Sequence, residues 1–362
     1  MRTLIAHARV ELSCVVAWGV AAGVAGLPAV RAAAPGYVVE YYDPTKAYDG
    51  TTLLTDTHDA VTARVVRVDM AGDIVWEYAV PTNWTQPLGP GLDAELLDNG
   101  NVLVVVPRAG VIEINSSGNL VWSNMDTRIS HDADRLANGN TLYVYGDDDA
   151  PVDAVVKEVS PSGELKWSWH ATNEYSVSPY WPTGGVYRQG WTHCNAATRM
   201  DDSNTLINLR NFDLTIIVDT NGDTVWSYDW TNLYPGTFPI GYDPHEPELV
   251  TTNSLLVCLQ WDSPFQAVEL DRSAGTPVWQ YSRVGLRTTR DADRLPNGNT
   301  LIVGVLTQVE HSVIFEVTPS SQIVWQLRLT NRPTEGGPGW FFKAQRVSSS
   351  FGAPRGTVIL IM

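Results

Sequence analysis

Two nearly identical segments of the sequence differ first at a residue type that can do chemistry. The chain reads HDADRLANGNTL at 131–142 and RDADRLPNGNTL at 290–301, so His131 in one copy corresponds to Arg290 in the other. Imidazole can serve as a nucleophile, a proton donor or a metal ligand, whereas guanidinium binds oxyanions. Four further segments of the same type place other residues at this position: Leu92, Asn195, His245 and Phe342.

Three kinds of chemistry suit this set of residues. His131, His245 and His193, which lies two residues before Asn195 and so on the same strand face, could together bind a divalent metal. Arg290 argues against a cation there and favours an anion, with imidazoles as additional hydrogen-bond donors. A third alternative adds covalent catalysis, with one neutral imidazole as nucleophile and another as proton donor. We predict no metal and no cofactor.

The elements that must position these residues are predicted by a repeat. A Gly-to-Trp motif such as GDIVW recurs with spacings of 46, 45, 59, 53 and 46 residues between its tryptophans, which are Trp76, Trp122, Trp167, Trp226, Trp279 and Trp325. Before each tryptophan the sequence indicates an inner strand, a hairpin, an alternating strand and a third strand. Asn-Gly dipeptides at 99–100, 138–139 and 297–298 predict type I′ hairpins. Each repeat is therefore predicted to form a four-stranded antiparallel sheet.

Such sheets, repeated at this spacing, are typical of propeller blades. We predict an all-β, six-bladed β-propeller over residues 35–362, with the inner strands lining a central channel. The ring is expected to close by pairing the C-terminal strands FFKAQRV (341–347) and TVILI (357–361) with the N-terminal strands ARVVRVD (63–69) and DIVWEY (73–78). Such closure removes exposed sheet edges. TTLLTD (51–56) competes with TVILI for one strand position.

Charge and the N-terminus restrict the partners and the location. The formal charge of -16 argues against nucleic acid or an anionic membrane as partner. Residues 1–34 contain Arg2 and Arg9, an apolar run and a small-residue stretch at 31–34, an order typical of a secretory signal peptide, with a membrane anchor as alternative. We therefore expect a secreted or periplasmic protein with no membrane insertion beyond that possible anchor. Cys194 and Cys258 are predicted to be buried strand residues.

Several of these motifs together resemble the bacterial arylsulfate sulfotransferases. They are YDPTKAYDGTTLLTD at 42–56, the GDIVWEY unit, HDADRLANGNTL, the pair His193 and Asn195, and His245. The resemblance implies a six-bladed periplasmic propeller that moves a sulfuryl group from an aryl sulfate to a phenolic acceptor through a sulfohistidine, without the nucleotide donor PAPS. It implies that His245 is sulfurylated and that His131 and His193 hold and protonate the ester. Asn195 would match the asparagine beside the second histidine, and Arg210 the family's sulfate-binding arginine. Asn195, Arg290 and Phe342 are our candidates for substrate binding.

Two other functions stay open from the sequence. One is a noncatalytic secreted propeller that binds a ligand or a protein partner. The other is a quinone-dependent dehydrogenase, favoured by the tryptophan pattern but disfavoured by six blades and by the lack of a calcium ligand set. The acidic segment GDDDAPVD (146–153) has the composition of a calcium loop, but we predict a solvated turn between strands.

Overall fold

The computed structural model describes residues 36–57, 63–84, 91–177, 189–233, 242–260, 266–306, 311–330, 341–349 and 351. Its strands are β1 (Tyr37–Tyr42), β2 (Gly50–Asp56), β3 (Arg64–Val68), β4 (Ile74–Ala79), β5 (Asp93–Leu96), β6 (Val102–Val106), β7 (Gly110–Ile114), β8 (Leu120–Met125), β9 (Ala133–Arg135), β10 (Thr141–Val144), β11 (Val156–Val159), β12 (Leu165–Trp169), β13 (Cys194–Arg199), β14 (Thr205–Leu209), β15 (Leu214–Val218), β16 (Thr224–Asp229), β17 (Pro244–Thr251), β18 (Ser254–Leu259), β19 (Gln266–Asp271), β20 (Thr276–Ser282), β21 (Leu286–Arg294), β22 (Thr300–Leu306), β23 (Ser312–Val317), β24 (Ile323–Leu329) and β25 (Phe341–Ser348). Three short 3₁₀ helices are Ala171–Asn173, Arg210–Phe212 and Trp230–Asn232.

These strands form six antiparallel sheets, and the molecule is a six-bladed β-propeller, as the repeat predicts. Four blades use consecutive strands: β5–β8, β9–β12, β13–β16 and β17–β20. The remaining two contain β25-β2-β3-β4 and β21-β22-β23-β24-β1. The predicted signal segment 1–34 lies outside the described residues. None of the helices in the described parts of the chain is long and apolar enough to cross a membrane.

The ring closes through its two ends, with one difference from the prediction. β25, which contains FFKAQRV, pairs with β2, so TTLLTD rather than ARVVRVD is its direct partner. β3 and β4 then follow β2 in the same sheet. TVILI lies outside the described residues. A second closure was not predicted: β1 pairs with β24 as a fifth, outer strand of the last blade.

The Asn-Gly hairpins are present, but their turn type differs from the expected one. In the blade β9–β12, which is the third blade when the one containing β2 is counted first, Gly139 N–H donates to the Leu136 carbonyl and Leu136 N–H donates to the Asn140 carbonyl. Gly139 has φ 84°, whereas Asn138 is not among the residues with positive φ. A type I turn followed by a left-handed glycine has this pattern, whereas type I′ requires positive φ at both central residues. The hairpin is therefore one residue longer than the sequence suggested.

Neighbouring blades are joined by the tryptophans of the repeat. Five of the six indoles donate from Nε1 to a backbone carbonyl of the next blade: Trp76 to Ser116, Trp122 to Pro161, Trp226 to Arg272, Trp279 to Pro319 and Trp325 to Met70. In the third blade Trp169, two residues after the motif, donates to Gly222 instead. Apolar clusters fill the space between the sheets. As predicted, Cys194 and Cys258 are buried and free.

Candidate functional site

The structure brings the three predicted histidines together at the channel. The ring centroids of His131 and His193 lie 4.7 Å apart, and those of His131 and His245 lie 6.4 Å apart. Phe342 packs between them, 5.7 Å from His131 and 5.1 Å from His245. The guanidinium carbon of Arg290 lies 5.3 Å from the Phe342 ring centroid. All five side chains are buried. The five side chains thus form one buried cluster.

A serine fixes the tautomer of His131. The residue has φ 70°, in the left-handed region, and its Nδ1 lies 2.8 Å from Ser130 Oγ. Ser130 Oγ also accepts from the backbone N–H groups of Gly146 and Asp147, at 3.1 and 3.0 Å. Because these two bonds use both lone pairs of the hydroxyl, its proton is donated to His131 Nδ1. The neutral ring then carries its own hydrogen on Nε2 and presents a donor there.

His193 has the opposite tautomer. Its Nδ1 lies 2.6 Å from the Gln189 carbonyl, which can only accept, so the ring hydrogen is on Nδ1 and Nε2 keeps its lone pair. The backbone here is also left-handed, with φ 46°. Asp149 holds this conformation because its carboxylate accepts from the N–H groups of Thr192 and His193, both at 3.0 Å.

His245 likewise keeps a lone pair on Nε2. Its Nδ1 lies 2.7 Å from the Arg290 carbonyl and therefore carries the hydrogen. The preceding carbonyl, of Pro244, accepts from the side-chain amides of Asn195 and Asn208, at 3.1 and 2.7 Å. These bonds fix the start of β17, on which His245 lies. The predicted substrate-binding role of Asn195 stays a prediction, since its amide in this structure contacts Pro244 and Asn208.

Burial and cationic neighbours keep the histidines neutral. The pKa of His131 is lowered to about 3, first by burial and then by the charge of Arg210. The pKa values of His193 and His245 are lowered well below 6.5, again mainly by burial, with Arg210 the next cause for His193 and Arg290 for His245. Two guanidinium groups thus act on the three rings, which suits an anionic ligand.

Arg210 lies at the edge of this cluster, at the start of the 3₁₀ helix that follows β14. Its Nη2 is 3.4 Å from the carboxylate of Asp243, two residues before His245. Asp213, which ends the same helix in a left-handed conformation, accepts from the N–H groups of Tyr242 and Asp243. The blade that carries Asn195 therefore positions the segment leading to His245.

The acidic segment 146–153 is not the solvated turn that we predicted. Asp147 and Asp149 are buried, and only Asp148 and Ala150 among residues 146–150 are exposed. Gly146 packs tightly, because a Cβ there would lie 2.2 Å from the Cys194 carbonyl oxygen and 2.6 Å from His131 Nδ1. The segment supports the histidines through Gly146, which packs against His131, and through Asp149, which binds Thr192 and His193. Because these contacts join residues that are distant in the chain, the segment itself carries no sequence signal for this role.

One group of side chains has a donor set suitable for a transition metal. A ligating atom from each of His131, Asp147 and His193 lies within 4.8 Å of the others, and among the described residues Asp147 accepts no hydrogen bond through its carboxylate oxygens. Two imidazoles and one carboxylate can bind iron or zinc. The adjacent Arg210 opposes a cation there, since its charge already lowers the pKa of both histidines.

Sequence comparison defines the family of this propeller. A model of the family described as Arylsulfotransferase (ASST) matches residues 38–228, just over half of the chain. The chain belongs to this arylsulfotransferase family. The matched part includes His131, His193 and Arg210, and the family assignment made from the motifs is confirmed. No curated protein sequence matches the chain.

Solved structures with similar folds have low sequence identity to this arylsulfotransferase family member. A protein of unknown function from Bacteroides caccae is 16% identical, with a TM-score of 0.54 over 82% of this chain and 98% of that chain. An apocarotenoid oxygenase from Synechocystis is 10% identical, with a TM-score of 0.49 over 86% and 95%. A virginiamycin B lyase from Staphylococcus aureus is 9% identical, with a TM-score of 0.47 over 81% and 99%. These similarities concern the fold alone.

Proposed function

We propose that the protein transfers a sulfuryl group from an aryl sulfate to a phenolic acceptor through a sulfohistidine, without a nucleotide donor. The state of His245 carries the proposal. This ring is buried and neutral, donates from Nδ1 to the Arg290 carbonyl, and so keeps the Nε2 lone pair that a nucleophile needs. Membership of the arylsulfotransferase family supports the same chemistry.

In the first half-reaction, His245 Nε2 attacks the sulfur of the donor. The S–N bond forms while the bond from sulfur to the aryl oxygen breaks, and its electron pair leaves on the phenolate. The ring gains a positive charge, which the hydrogen bond from Nδ1 to the Arg290 carbonyl stabilises. An acceptor phenol then occupies the position that the first phenol has left and attacks the sulfur, and the S–N bond breaks.

Proton transfer to the leaving oxygen is assigned to His193. The bound sulfate ester brings a negative charge that offsets Arg210 and favours the imidazolium form of this ring. That form donates from Nε2 to the phenolate, and the neutral ring then takes the proton of the acceptor phenol, as microscopic reversibility requires.

The remaining groups bind the anion and the aromatic ring. His131 Nε2–H, Arg210 and Arg290 are suited to the nonbridging sulfuryl oxygens, whose charge they stabilise during transfer. The Phe342 ring, which packs against His131 and His245, supplies an apolar wall for the donor's ring.

The test is an exchange assay with a chromogenic aryl sulfate and added phenol. We expect His245→Ala to lower the rate by at least about 10³-fold, because the nucleophile is lost. The matched control is His170→Ala, since His170 lies outside the channel cluster at the end of β12. Exchange by His245→Ala at a rate near that of the control would contradict the assignment.

We also propose that the chain is exported, with residues 1–34 acting as the signal. The proposal rests on the basic, apolar and small-residue order of this segment. N-terminal sequencing of the purified protein after cell fractionation tests it. A mature chain that begins near residue 35 in the extracytoplasmic fraction is the expected result, and intact cytoplasmic protein would overturn it.

A further inference from the structure

The inner strands carry a second set of chemically active residues, at positions that follow the one occupied by His131 and His245. Carboxylates occupy the second and fourth positions of four inner strands: Asp93, Glu95, Asp132, Asp134, Glu246, Glu248, Asp291 and Asp293. Residues two apart on a strand point to the same face, so each strand presents two carboxylates to one side. Seven of the eight line a single cavity of ≈ 330 Å³.

Lys343 supplies the cation for part of this set. Its Nζ lies 2.7 Å from Asp132, 2.8 Å from Glu246 and 3.4 Å from Asp93. It is the one cationic residue among the described residues that line the cavity. The second-position carboxylates are therefore partly neutralised.

The fourth-position carboxylates have no comparable partner. Among the described residues, no lysine or arginine side chain forms an ion pair with Glu95, Asp134, Glu248 or Asp293. The nearby arginines of the inner strands turn outward, for example Arg294, whose guanidinium pairs with Glu269. In the part of the chain that the structure describes, these four carboxylates consequently lack a direct ion-pair partner, and the nearby carboxylates repel one another when ionised.

Two buried carboxylate oxygens in this cavity also lack hydrogen bonds. Within the described part of the chain, neither Glu246 Oε1 nor Glu95 Oε2 accepts one. Glu246 is only 7% exposed, and both residues line the cavity. Buried acceptors without a donor reduce stability unless a ligand or an ion satisfies them.

We propose that this cavity binds a hard divalent cation, with Ca²⁺ as the favoured ion. The described lining residues offer carboxylate oxygens and neither imidazole nor thiolate, a donor set that selects Ca²⁺ over zinc or copper. Calcium accepts six to eight oxygens in flexible geometry, which suits a mixed set of Asp and Glu side chains from several blades. The ion joins the four inner strands that carry these carboxylates. None of the described residues that line its cavity is a histidine, although Glu246 Oε1 also lies 3.8 Å from His245 Nδ1.

Calorimetric titration and thermal unfolding of the full chain test this site. Protein freed of metal with a chelator is titrated with CaCl₂, and its melting temperature is recorded with and without the ion. We expect one Ca²⁺ per chain and a rise in melting temperature of about 2–5 °C at saturation, because the ion binds the folded state alone. No heat of binding and no shift at millimolar CaCl₂ would overturn the proposal, as would stabilisation by spermidine but not by calcium.

A charge-neutralised variant locates the ion. Glu95→Gln combined with Asp293→Asn removes the charge of two fourth-position carboxylates without changing side-chain size. Glu164→Gln is the control, because the side chain of Glu164 is 68% exposed. We expect Ca²⁺ binding at least about tenfold weaker in the double variant and unchanged in the control. In calcium-free buffer the double variant should melt no lower than wild type, because it has lost repelling charges. Wild-type affinity in the double variant would overturn the assignment, and Glu95→Gln alone serves if the pair does not fold.

Discussion

Ser130→Ala removes the hydroxyl that fixes the ring state of His131. Ser130 is fully buried, and its Oγ contacts His131 Nδ1 and the N–H groups of Gly146 and Asp147. The substitution leaves two buried N–H donors without a partner, each at a cost of about 1–3 kcal/mol. We expect the free energy of unfolding to fall by roughly 2–4 kcal/mol and the melting temperature by roughly 3–8 °C.

The same substitution should also slow exchange at 25 °C, where the variant remains folded. Without the Ser130 donor, His131 can carry its hydrogen on Nδ1, and Nε2 then no longer donates to the sulfuryl oxygens. We expect kcat/KM to fall roughly 10- to 100-fold, which corresponds to about 1.4–2.7 kcal/mol of transition-state stabilisation.

Ser160→Ala is the matched control for this prediction. Ser160 lies in an outer hairpin of the same blade, where its Oγ accepts from Glu164 N–H at 3.1 Å. Its loss should leave exchange unchanged. If Ser130→Ala loses stability as expected but exchanges within about twofold of wild type, the tautomer of His131 does not contribute to catalysis and the reasoning is refuted.

Three further predictions follow from particular contacts. Gly146→Ala places a Cβ 2.6 Å from His131 Nδ1 and should lower kcat/KM more than tenfold, as measured by the exchange assay. Asn208→Ala removes the amide that donates to the Pro244 carbonyl; urea unfolding should show a loss of about 1–3 kcal/mol, and the exchange assay a lower kcat. Burial raises the pKa of Glu95 to about 7 in the folded protein. Between about pH 4.5 and pH 7 the unfolded chain has released the proton of this carboxyl while the folded chain still holds it, so the stability of wild type falls as the pH rises through this range. Glu95→Gln does not titrate, so its free energy of unfolding relative to that of wild type should rise by an amount on the order of 1–3 kcal/mol across this pH range, as measured by urea titration without calcium. A difference in unfolding free energy that does not change with pH would contradict the cavity electrostatics.

The blade repeat could be predicted from sequence because its signals are local. The Gly-to-Trp motif and the Asn-Gly hairpins each lie within a few residues, and the strands they delimit pair with their neighbours in the chain. The pairing of β1 with β24 could not be predicted in this way, since it joins residues nearly 300 positions apart and adds a strand beyond the four-stranded unit. The exact turn type was wrong because Asn-Gly also fits a type I turn with a left-handed glycine.

Comparison of the repeats predicted the candidate site chiefly at the first position of each inner strand, with His193 two residues earlier, whereas Arg210 entered through the family resemblance. Comparison of His131 with Arg290 drew attention to that position, because there the repeats differ. The carboxylates at the second and fourth positions were not predicted as a site, because the two DADR copies are identical there and the comparison singled out positions that differ. Inner strands that surround one axis nevertheless bring these acids to the same cavity. Asp149 and Ser130 were missed for another reason: their partners lie many residues away and only the fold brings them together.

The most direct measurement is the mass of the protein after brief reaction with an aryl sulfate in the absence of acceptor, followed by peptide mapping. One sulfuryl group should be found on His245, should disappear when phenol is added, and should not form in His245→Ala. Turnover without any adduct, or an adduct on a different residue, would contradict the sulfohistidine account.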